Sequence, residues 1–405
     1  MGALSHIRVL DLTRVLAGPW ATQILSDLGA EVIKIEKPGE GDETRHFGPP
    51  FVHAADGGKG DAAYFLSANR NKKSVAIDIA KPEGAALVKR LAHRSHVVVE
   101  NFKTGTLARY GLDYASLAAE NPALICCSLT GFGHDGPYRD KAGYDYLIQG
   151  MAGLMSITGQ PDGTPGGEPM KAGVAVSDIV SGLYATIAIL AALIHQSRTG
   201  EGQQIDMALF DCQAAALANQ AMNYLAGGLV PTRMGNAHPS IVPYQVFATA
   251  DCFLILAVAN DQQFQRFCEA ADLQHLTADP HFLTNAERVH NRDALAALLV
   301  PLLKSRATAD WIALLETANV PCGPINRIDQ VFSDPQAIAR GLTVSMKRGD
   351  RPLDLVASPL RLERTPPEYR LPPPRLGEHT DETLREHLAL GAAEIAQLRG
   401  SGVIA

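Results

Sequence analysis

The sequence lacks the cysteine and charge patterns that would assign it to several common classes of protein. No two of its six cysteines have the C-x-x-C spacing of a zinc or redox site, so we expect reduced thiols and no bound metal. Basic residues are not in excess, because 36 Lys and Arg oppose 43 Asp and Glu and leave a net charge of -7. This balance disfavours nucleic acid as a partner, although a local cluster of positive side chains could still bind an anion.

Signals for export or membrane insertion are also missing. The opening residues Met1–His6 contain no basic region followed by an apolar stretch. The longest uncharged apolar run, Ile179–Ile194, is shorter than the ~20 residues of a membrane span and contains Ser181, Gly182 and Thr186. We therefore expect a cytoplasmic protein with no membrane partner, in which this run forms a buried helix.

Alternating strand and helix patterns in the first 130 residues predict a parallel α/β sheet. Helical patterns at 19–28 and from Pro82 onward separate strand-like runs at 7–12, 31–36, 74–79, 96–100 and 123–129. In such a sheet, ligands bind at the carboxyl ends of the strands. The loops after Glu36, Glu100 and Leu129 are therefore the first place to look for a binding site.

A chain of 405 residues favours two domains, since single cores stop growing near ~250–300 residues. A hairpin pattern at 244–258 precedes amphipathic helices, and Pro366–Pro374 is typical of an extended connector. We predict a Rossmann-like large α/β domain whose first part is 1–227, a smaller α+β domain at 228–325, and a linker with a C-terminal return to the large domain at 326–405.

One glycine-rich segment imitates a dinucleotide-binding motif. Gly131, Gly133 and Gly136 match G-x-G-x-x-G after a predicted strand. However, Pro137 occupies the place where the helix of such a motif would continue. We therefore expect these glycines to make turns or to let the backbone approach a different ligand.

Asp178 is the most informative acidic residue. It follows a short apolar strand pattern and Ser177, and it precedes a long apolar helical pattern. Ser177 suits the N-cap, which would place Asp178 in the first helical turn, where the positive end of the helix dipole favours an ionised carboxylate. An aspartate in this place is ordinary and usually only stabilises its helix, so the local sequence does not by itself assign a catalytic role.

A series of short motifs runs in order from near the N-terminus to the C-terminus. They are Thr13–Pro19, Asp27–Asp42, Asn69–Ser74, Glu100–Phe102, Gly143–Asp145, Ser177–Ile179, Thr199–Gln203, Val320–Asn326 and Leu376–Thr380. Each motif is weak alone, but together they resemble the class III CoA-transferase family, which includes formyl-CoA transferase.

The resemblance implies an enzyme that moves coenzyme A between carboxylic acids. In that family the aspartate at the position of Asp178 is the nucleophile. Its carboxylate attacks a thioester to give a mixed anhydride and the CoA thiolate, which then returns to give an aspartyl-CoA thioester. These intermediates hydrolyse readily, so the site must exclude water. The resemblance also implies that coenzyme A and acyl-CoA are substrates, that no cofactor is bound permanently, and that the protein forms an interlocked homodimer.

The family's CoA-contacting positions carry over to several loops of this chain. Leu16 and Ala17 correspond to a loop near the thiol end of CoA, and Lys37 replaces an arginine near its nucleotide end. Formyl-CoA transferases carry glutamine at the position of Leu16, which argues against formyl or oxalyl substrates. The other contacts implied by the resemblance are Ile77, Asp78, Ile79 and Ala80 beside the adenine, Asn101, Phe102, Lys103 and Arg109 in a further loop, and Lys141, Tyr144 and Asp145.

Two sets of positive side chains are candidates for binding anions. The cluster predicted for the CoA phosphates consists of Lys37, Arg70, Lys72, Lys73, Lys103 and Arg109. The region His238–Gln245 resembles the succinate–hydroxymethylglutarate (glutarate) CoA-transferase branch, which implies succinyl-CoA as the donor and a dicarboxylate as the acceptor. The candidates for binding the distal carboxylate are Arg45, Arg233 and His238.

Other functions stay open at this point. The family also contains α-methylacyl-CoA racemases, which carry histidine at the position of Tyr144. A phenol is a poor general base near neutral pH because its reference pKa is ~10, so Tyr144 argues against that chemistry. A non-catalytic acyl-CoA-binding protein would need the phosphate cluster but not Asp178. Acceptors such as mesaconate, citramalate or a carnitine-type acid are further alternatives.

Overall fold

The computed structural model describes residues 1–52 and 60–405 of the chain. Its main feature is a sheet in which every neighbouring pair of strands is parallel. The strands are β1 (Arg8–Asp11), β2 (Glu31–Glu36), β3 (Lys72–Ala76), β4 (Val97–Glu100), β5 (Ile125–Thr130) and β6 (Gln204–Ala208), in the spatial order β3-β2-β1-β4-β5-β6. This order confirms the predicted Rossmann-like α/β class. It also places a crevice between β1 and β4, where the direction of the strand order reverses.

Helices connect the strands and continue beyond β6. They are α1 (Ala17–Asp27), α2 (Ala63–Ser67), α3 (Pro82–His93), α4 (Tyr114–Ala118), α5 (Asp145–Met151), α6 (Leu154–Ile157), α7 (Val176–Thr199), α8 (Leu209–Ala215) and α9 (Ala218–Leu225), with 3-10 turns at Glu43–His46 and Leu107–Tyr110. The chain after β6 forms two helices, α8 and α9, rather than one continuous helix, and Ala218 at their junction has a φ of 45°, outside the right-handed helical region.

Alternate residues of the strands pack on opposite faces of the sheet, as the two-residue period of a β-strand requires. Leu10 and Ile33 are paired in register and belong to a core shared with Leu91 of α3. Val9 and Val32 are also paired in register and belong to a second core, shared with α1 and α7. The sheet is therefore covered on both faces, and its carboxyl edge is left for binding.

Helix α7 is apolar on both its buried and its exposed face. Ala185 and Ile189 are fully buried against the sheet, whereas Leu183 and Ile187 are exposed. The helix is long and apolar enough to cross a membrane, but half of its most apolar window is buried, and the core helix of a soluble protein passes the same test. The prediction of a buried helix at 179–194 is therefore wrong for one face.

The contacts between residues divide the chain into two compact units. The large unit is Met1–Leu154, Ala172–Gly227 and Gln336–Ala405, and the small unit is Met155–Lys171 and Gly228–Pro335. Compared with the predicted limits of 228–325, the small unit also takes residues 155–171 and extends to Pro335.

The small unit contains most of α6, a three-stranded antiparallel sheet and five further helices, with a core of its own. Its elements are β7 (Tyr244–Ala248), β8 (Phe253–Ala257), β9 (Cys322–Pro324), α10 (Asp261–Ala270), α11 (Asn285–His290), α12 (Arg292–Leu303), α13 (Thr308–Thr317) and α14 (Ile328–Ser333), with a 3-10 turn at Gln274–Thr277. Phe264, Phe267, Trp311 and Leu315 are fully buried in that core. The predicted hairpin at 244–258 is confirmed as the antiparallel pair β7–β8.

The C-terminal part of the chain belongs to the large unit. It contains α15 (Pro335–Ala339), β10 (Thr343–Arg348), β11 (Arg351–Val356), α16 (Thr380–Leu388) and α17 (Ala392–Gly400). Pro366–Pro374 is neither helix nor strand, as predicted for a connector. It is held to the large unit because the Asn71 N–H donates to the Leu371 carbonyl (2.7 Å) and the Glu368 N–H donates to the Asp27 carbonyl (2.8 Å).

Candidate active site

Loops that follow three neighbouring strands form a cavity at the carboxyl edge of the sheet. The cavity has a volume of about 270 Å³, and its walls come from the loops after β1, β4 and β5 and from the first turn of α7. We name it the Asp178 cavity. The predicted site residues that line it are Leu16, Ala17, Asn101, Phe102, Lys103, Lys141, Tyr144, Asp145 and Asp178.

A second cavity, of about 350 Å³, lies beside the first. The predicted residues Lys37, Ile77, Asp78, Ile79 and Ala80 line it, and we name it the Lys37 cavity. The two cavities are adjacent because three residues line both of them: Arg14, Glu43 and Phe102. Arg109 is not among the lining residues of either cavity.

Asp178 is a buried carboxylate without a stabilising partner. Only 8% of its surface is exposed, and its carboxylate receives no hydrogen bond from residues 1–52 or 60–405. Burial raises its pKa to about 7, and the negative charge of Asp145 adds to that rise. The prediction that the helix dipole keeps Asp178 ionised is therefore wrong, because burial and a like charge outweigh it.

The start of α7 also differs from the prediction that Ser177 is the N-cap. The N-cap is Ala175, which has no side chain that can cap the helix. Instead, Asp145 Oδ1 accepts hydrogen bonds from the backbone N–H groups of Ser177 (2.8 Å) and Asp178 (3.3 Å). The donors that were expected to favour a charged Asp178 therefore bind Asp145.

The loop after β1 is strained and is held from two sides. Val15 has a φ of 70°, a left-handed value that a β-branched residue rarely adopts. Its N–H donates to Asp42 (3.3 Å), whose other carboxylate oxygen accepts from Lys34 (2.9 Å). Asn101 accepts from the Arg14 N–H (3.0 Å) and donates to the Arg14 carbonyl (2.7 Å). Such strain persists only where the surroundings fix the backbone, and here it shapes a wall of the Asp178 cavity.

Three of the six side chains predicted to bind CoA phosphates are held by partners within the fold, and a fourth, Lys37, donates to Glu40 (2.6 Å) at the exposed surface. Arg70 forms a two-pronged ion pair with Asp27 (2.9 and 2.5 Å), and Lys72 binds Asp11 (3.2 Å). All four of these side chains are almost completely buried. Lys73 lies among three glutamates at 2.9–3.4 Å. The predicted phosphate cluster is therefore wrong for Arg70, Lys72 and Lys73, because their charges are already neutralised within the fold.

The cations predicted to bind a distal carboxylate also have structural roles. Arg45 is buried and makes two hydrogen bonds to Glu36 (2.7 and 2.8 Å), so it is not free to bind a substrate. Arg233 lies in the small unit and pairs with Asp162. His238, also in the small unit, accepts a hydrogen bond from a nearby backbone N–H (3.1 Å).

Three charged residues that line the Asp178 cavity were not predicted from the sequence: Arg14, Glu43 and Arg139. Arg14 donates to Glu43 (2.5 Å), and its guanidinium lies 5.2 Å from the centre of the Phe102 ring. A signal for Arg14 was present, because it lies within the motif Thr13–Pro19. Glu43 and Arg139 come from loops that approach each other only in the folded chain.

The glycine-rich segment after β5 serves a close contact between two backbones. A Cβ on Gly131 would overlap the Cα of Gly143, and a Cβ on Gly143 would overlap the Cα of Gly131. Gly143 immediately precedes Tyr144 and Asp145, so this contact sets the distance between two walls of the Asp178 cavity. No helix follows β5 until Asp145, which rules out the dinucleotide-binding motif.

A group with possible metal ligands lies elsewhere on the large unit. Glu31, Glu386 and His387 have ligand atoms within 4.8 Å of one another. Lys73 already binds both glutamates, at 3.4 and 3.0 Å. A cation that is part of the protein therefore occupies the place a metal would need.

Comparison with known proteins gives the same assignment as the motifs. The profile of CoA-transferase family III matches residues 4–380. The succinate–glutarate CoA-transferase of Agrobacterium fabrum is 53% identical over 384 residues, 95% of each chain. The human succinyl-CoA:glutarate CoA-transferase is 42% identical over 99% of this chain and 90% of its own. A crystal structure of a CaiB/BaiF family protein from Brucella suis is 49% identical, with a TM-score of 0.85 over 95% of this chain and 99% of its own. Together with the sheet order and the Asp178 cavity, these matches show that the chain belongs to CoA-transferase family III.

Proposed function

We propose that the protein transfers coenzyme A from succinyl-CoA to a dicarboxylate, with glutarate as the foremost candidate. The observation that carries the proposal is the Asp178 carboxylate, which lines a cavity, is buried, and has a pKa raised to about 7. Such a perturbed carboxylate in a cleft is typical of a functional site. The names of the bacterial and human relatives state the succinate–glutarate pair and support the choice of acids.

Asp178 serves as the nucleophile in this proposal. One carboxylate oxygen attacks the thioester carbonyl carbon, the C–S bond breaks, and the CoA thiolate leaves a mixed anhydride of Asp178 and succinate. The thiolate then attacks the Asp178 carbonyl and expels succinate, which leaves an aspartyl-CoA thioester. The acceptor carboxylate repeats both exchanges in reverse, so the cycle consumes no water. The burial of Asp178 favours this course, because the intermediates must be kept from water.

The two adjacent cavities match the two ends of coenzyme A. The nucleotide would occupy the Lys37 cavity, which Lys37 and residues 77–80 line at the carboxyl edge. The thiol end would reach the Asp178 cavity past Arg14 and Phe102, which line both. Lys37 and Arg14 could then meet phosphate oxygens.

A dicarboxylate also needs a cation for the carboxylate that does not react. Arg45 is held by its hydrogen bonds to Glu36, so we assign the binding of the distal carboxylate to the cations that line the Asp178 cavity. They are Arg14, Lys103, Arg139 and Lys141. A charge-assisted hydrogen bond from one of them would distinguish a dicarboxylate from a monocarboxylate of equal length.

The homodimer and the cytoplasmic location remain predictions. Leu183 and Ile187 of α7 and Met222, Tyr224 and Leu225 of α9 are exposed apolar side chains of the large unit. Exposed apolar side chains in such numbers are typical of a surface that another protein covers. A second copy of the chain is the occupant that the family resemblance implies.

The acid pair can be tested with succinyl-CoA and a panel of isotopically labelled acids, with the products followed by mass spectrometry. Glutarate should give glutaryl-CoA and free succinate at a higher rate than mesaconate, citramalate or a carnitine-type acid gives its own CoA ester. Pentanoate is the matched control because it has the same chain length and no distal carboxylate, and its kcat/KM should be at least about 100-fold lower. If pentanoate reacts as well as glutarate, the dicarboxylate assignment fails. Exchange of the α-hydrogen of a 2-methylacyl-CoA in deuterium oxide, without CoA transfer, would indicate a racemase instead.

Gly131→Ala should impair catalysis more than folding. The added methyl group would force the loop after β5 away from Gly143 and so displace Tyr144 and Asp145. A displacement of about 1 Å at a reacting site can cost about 100-fold in rate, so kcat/KM for CoA exchange should fall by up to that amount.

Gly400→Ala is the control for that substitution, because a Cβ there meets nothing within 4 Å and α17 lies outside both cavities. It should leave kcat/KM unchanged. A Gly131→Ala enzyme with full activity would show that the contact with Gly143 is not needed for the geometry of the site.

A further inference from the structure

Two carboxylates meet at the start of α7, although the proposed chemistry needs only one of them as a nucleophile. Asp145 directs Oδ1 to the N–H groups of Ser177 (2.8 Å) and Asp178 (3.3 Å). Its Oδ2 accepts from the fully buried amide of Gln149 (2.7 Å). The oxygen of the same amide accepts from the Ala172 N–H (2.8 Å). Asp145 is thus tied, directly and through Gln149, to both ends of the segment that carries the nucleophile.

We propose that Asp145 is a positioning residue for Asp178, which holds the nucleophile in place and keeps its free carboxylate high in energy until it is acylated. The inference rests on the proposed function, because it assumes that Asp178 is the nucleophile. It also replaces the CoA contact that the family resemblance suggested for Asp145. Both oxygens of Asp145 bind protein donors, so neither needs a ligand to be satisfied.

Asp145 acts on Asp178 in two ways. It binds the backbone donors at the start of α7, which therefore cannot stabilise a negative charge on Asp178. It also places a like charge near the nucleophile. When Asp178 becomes an anhydride or a thioester it loses its charge, so the repulsion is present in the free enzyme and absent from the covalent intermediates. Asp145 therefore reduces the free-energy difference between the free enzyme and the acyl-enzyme.

Several other titratable groups lie near Asp178. Tyr64 of α2 stays neutral, since burial and the Asp178 and Asp145 carboxylates raise its pKa to about 12. On α8, which packs against α7, burial raises the pKa of the Cys212 thiol, and Asp211 is exposed. The remaining charged or titratable groups of the Asp178 cavity are Arg14, Glu43, Lys103, Arg139, Lys141 and Tyr144.

The test is the pH dependence of kcat/KM for CoA exchange in variants of Asp145, measured on the full-length protein from about pH 5 to pH 9. Asp178 must be ionised to attack, so the wild-type rate should fall as the pH drops through about 7. Asp145→Asn and Asp145→Ser remove the charge and should move this acidic limb to lower pH by about one unit. Asp145→Glu keeps the charge and should keep the limb near its wild-type position. Above the limb, the uncharged variants should be about tenfold slower because the nucleophile is less well positioned.

Two uncharged variants guard against misfolding, since Ser retains a short acceptor for the start of α7 and Asn retains the shape of Asp. If the acidic limb of the folded variants stays at its wild-type pH, Asp145 is only a helix cap and the proposal is overturned. Asp178→Ala separates this result from a failure of the proposed function. If Asp178→Ala still exchanges CoA, Asp178 is not the nucleophile and the proposed function fails. If Asp178→Ala has lost exchange but the acidic limb of the pH profile of Asp145→Asn stays at its wild-type pH, only the role of Asp145 is refuted.

Discussion

Asp178→Asn is expected to lower the rate of CoA exchange by about 10⁴-fold or more. An amide cannot attack a thioester to form the anhydride, so both covalent intermediates are lost. The fold should survive, because the Asp178 carboxylate receives no hydrogen bond from the described residues and its charge is buried beside Asp145. Mass spectrometry after incubation with an acyl-CoA should detect an adduct on Asp178 in the wild type and none in the variant.

Asp211→Asn is the matched control for that loss. Asp211 is also an aspartate in the first turn of a helix, but it is exposed and lies outside the lining of the Asp178 cavity. Its variant should exchange CoA at the wild-type rate. Turnover of Asp178→Asn within about tenfold of wild type, or an adduct on another residue, would contradict the proposed mechanism.

The elements that could be predicted are those whose pattern is local. The runs that became β1 to β5 are apolar and bounded by turns, and their alternation with helices predicted a parallel sheet. β6 was missed because it lies at the edge of the sheet, where exposed and partly buried residues alternate over only four positions before the buried Ala208. The pair β10–β11 was missed for a similar reason, since most of its residues are exposed or only partly buried.

The location of the site was predictable and its electrostatics were not. Parallel strands gather the loops at their carboxyl ends, so Leu16, Asn101 and Tyr144 meet at the Asp178 cavity as expected. The partner whose charge adds to the effect of burial on the pKa of Asp178 is Asp145, 33 residues earlier in the chain. One sequence contains no signal for such a pairing, and the nearby Ser177 was therefore assigned as the cap.

Arg70 illustrates the same limit and leads to a prediction about stability. It was assigned to the CoA phosphates, but it binds Asp27, 43 residues earlier in the chain, in a buried ion pair. Arg70→Met should lower the free energy of unfolding by about 3–5 kcal/mol, because it leaves the Asp27 carboxylate buried without its partner. Equilibrium denaturation in urea measures this loss.

The loss should also depend on pH. Burial raises the pKa of Asp27 even in the wild type, and Arg70 opposes that rise. Without Arg70 the folded-state pKa rises further above the unfolded value of ~3.9, so the folded protein binds a proton that the unfolded chain releases. Both proteins lose stability alike as the pH rises from the unfolded-state pKa to the folded-state pKa of wild-type Asp27. Stability of Arg70→Met relative to wild type should fall as the pH rises further, from that value towards the higher folded-state pKa of the variant.

Two further variants separate a buried pair from a phosphate ligand. Asp27→Leu combined with Arg70→Met replaces both charges with apolar groups and should recover most of the lost stability, since no buried charge is left unpaired. Arg109→Met removes an arginine that is exposed and should leave the unfolding free energy within about 0.5 kcal/mol of wild type. If Arg70→Met instead unfolds like the wild type and raises KM for acyl-CoA, then Arg70 binds the phosphates after all. The buried charge of Arg70 would then contribute to substrate binding rather than to the stability of the fold.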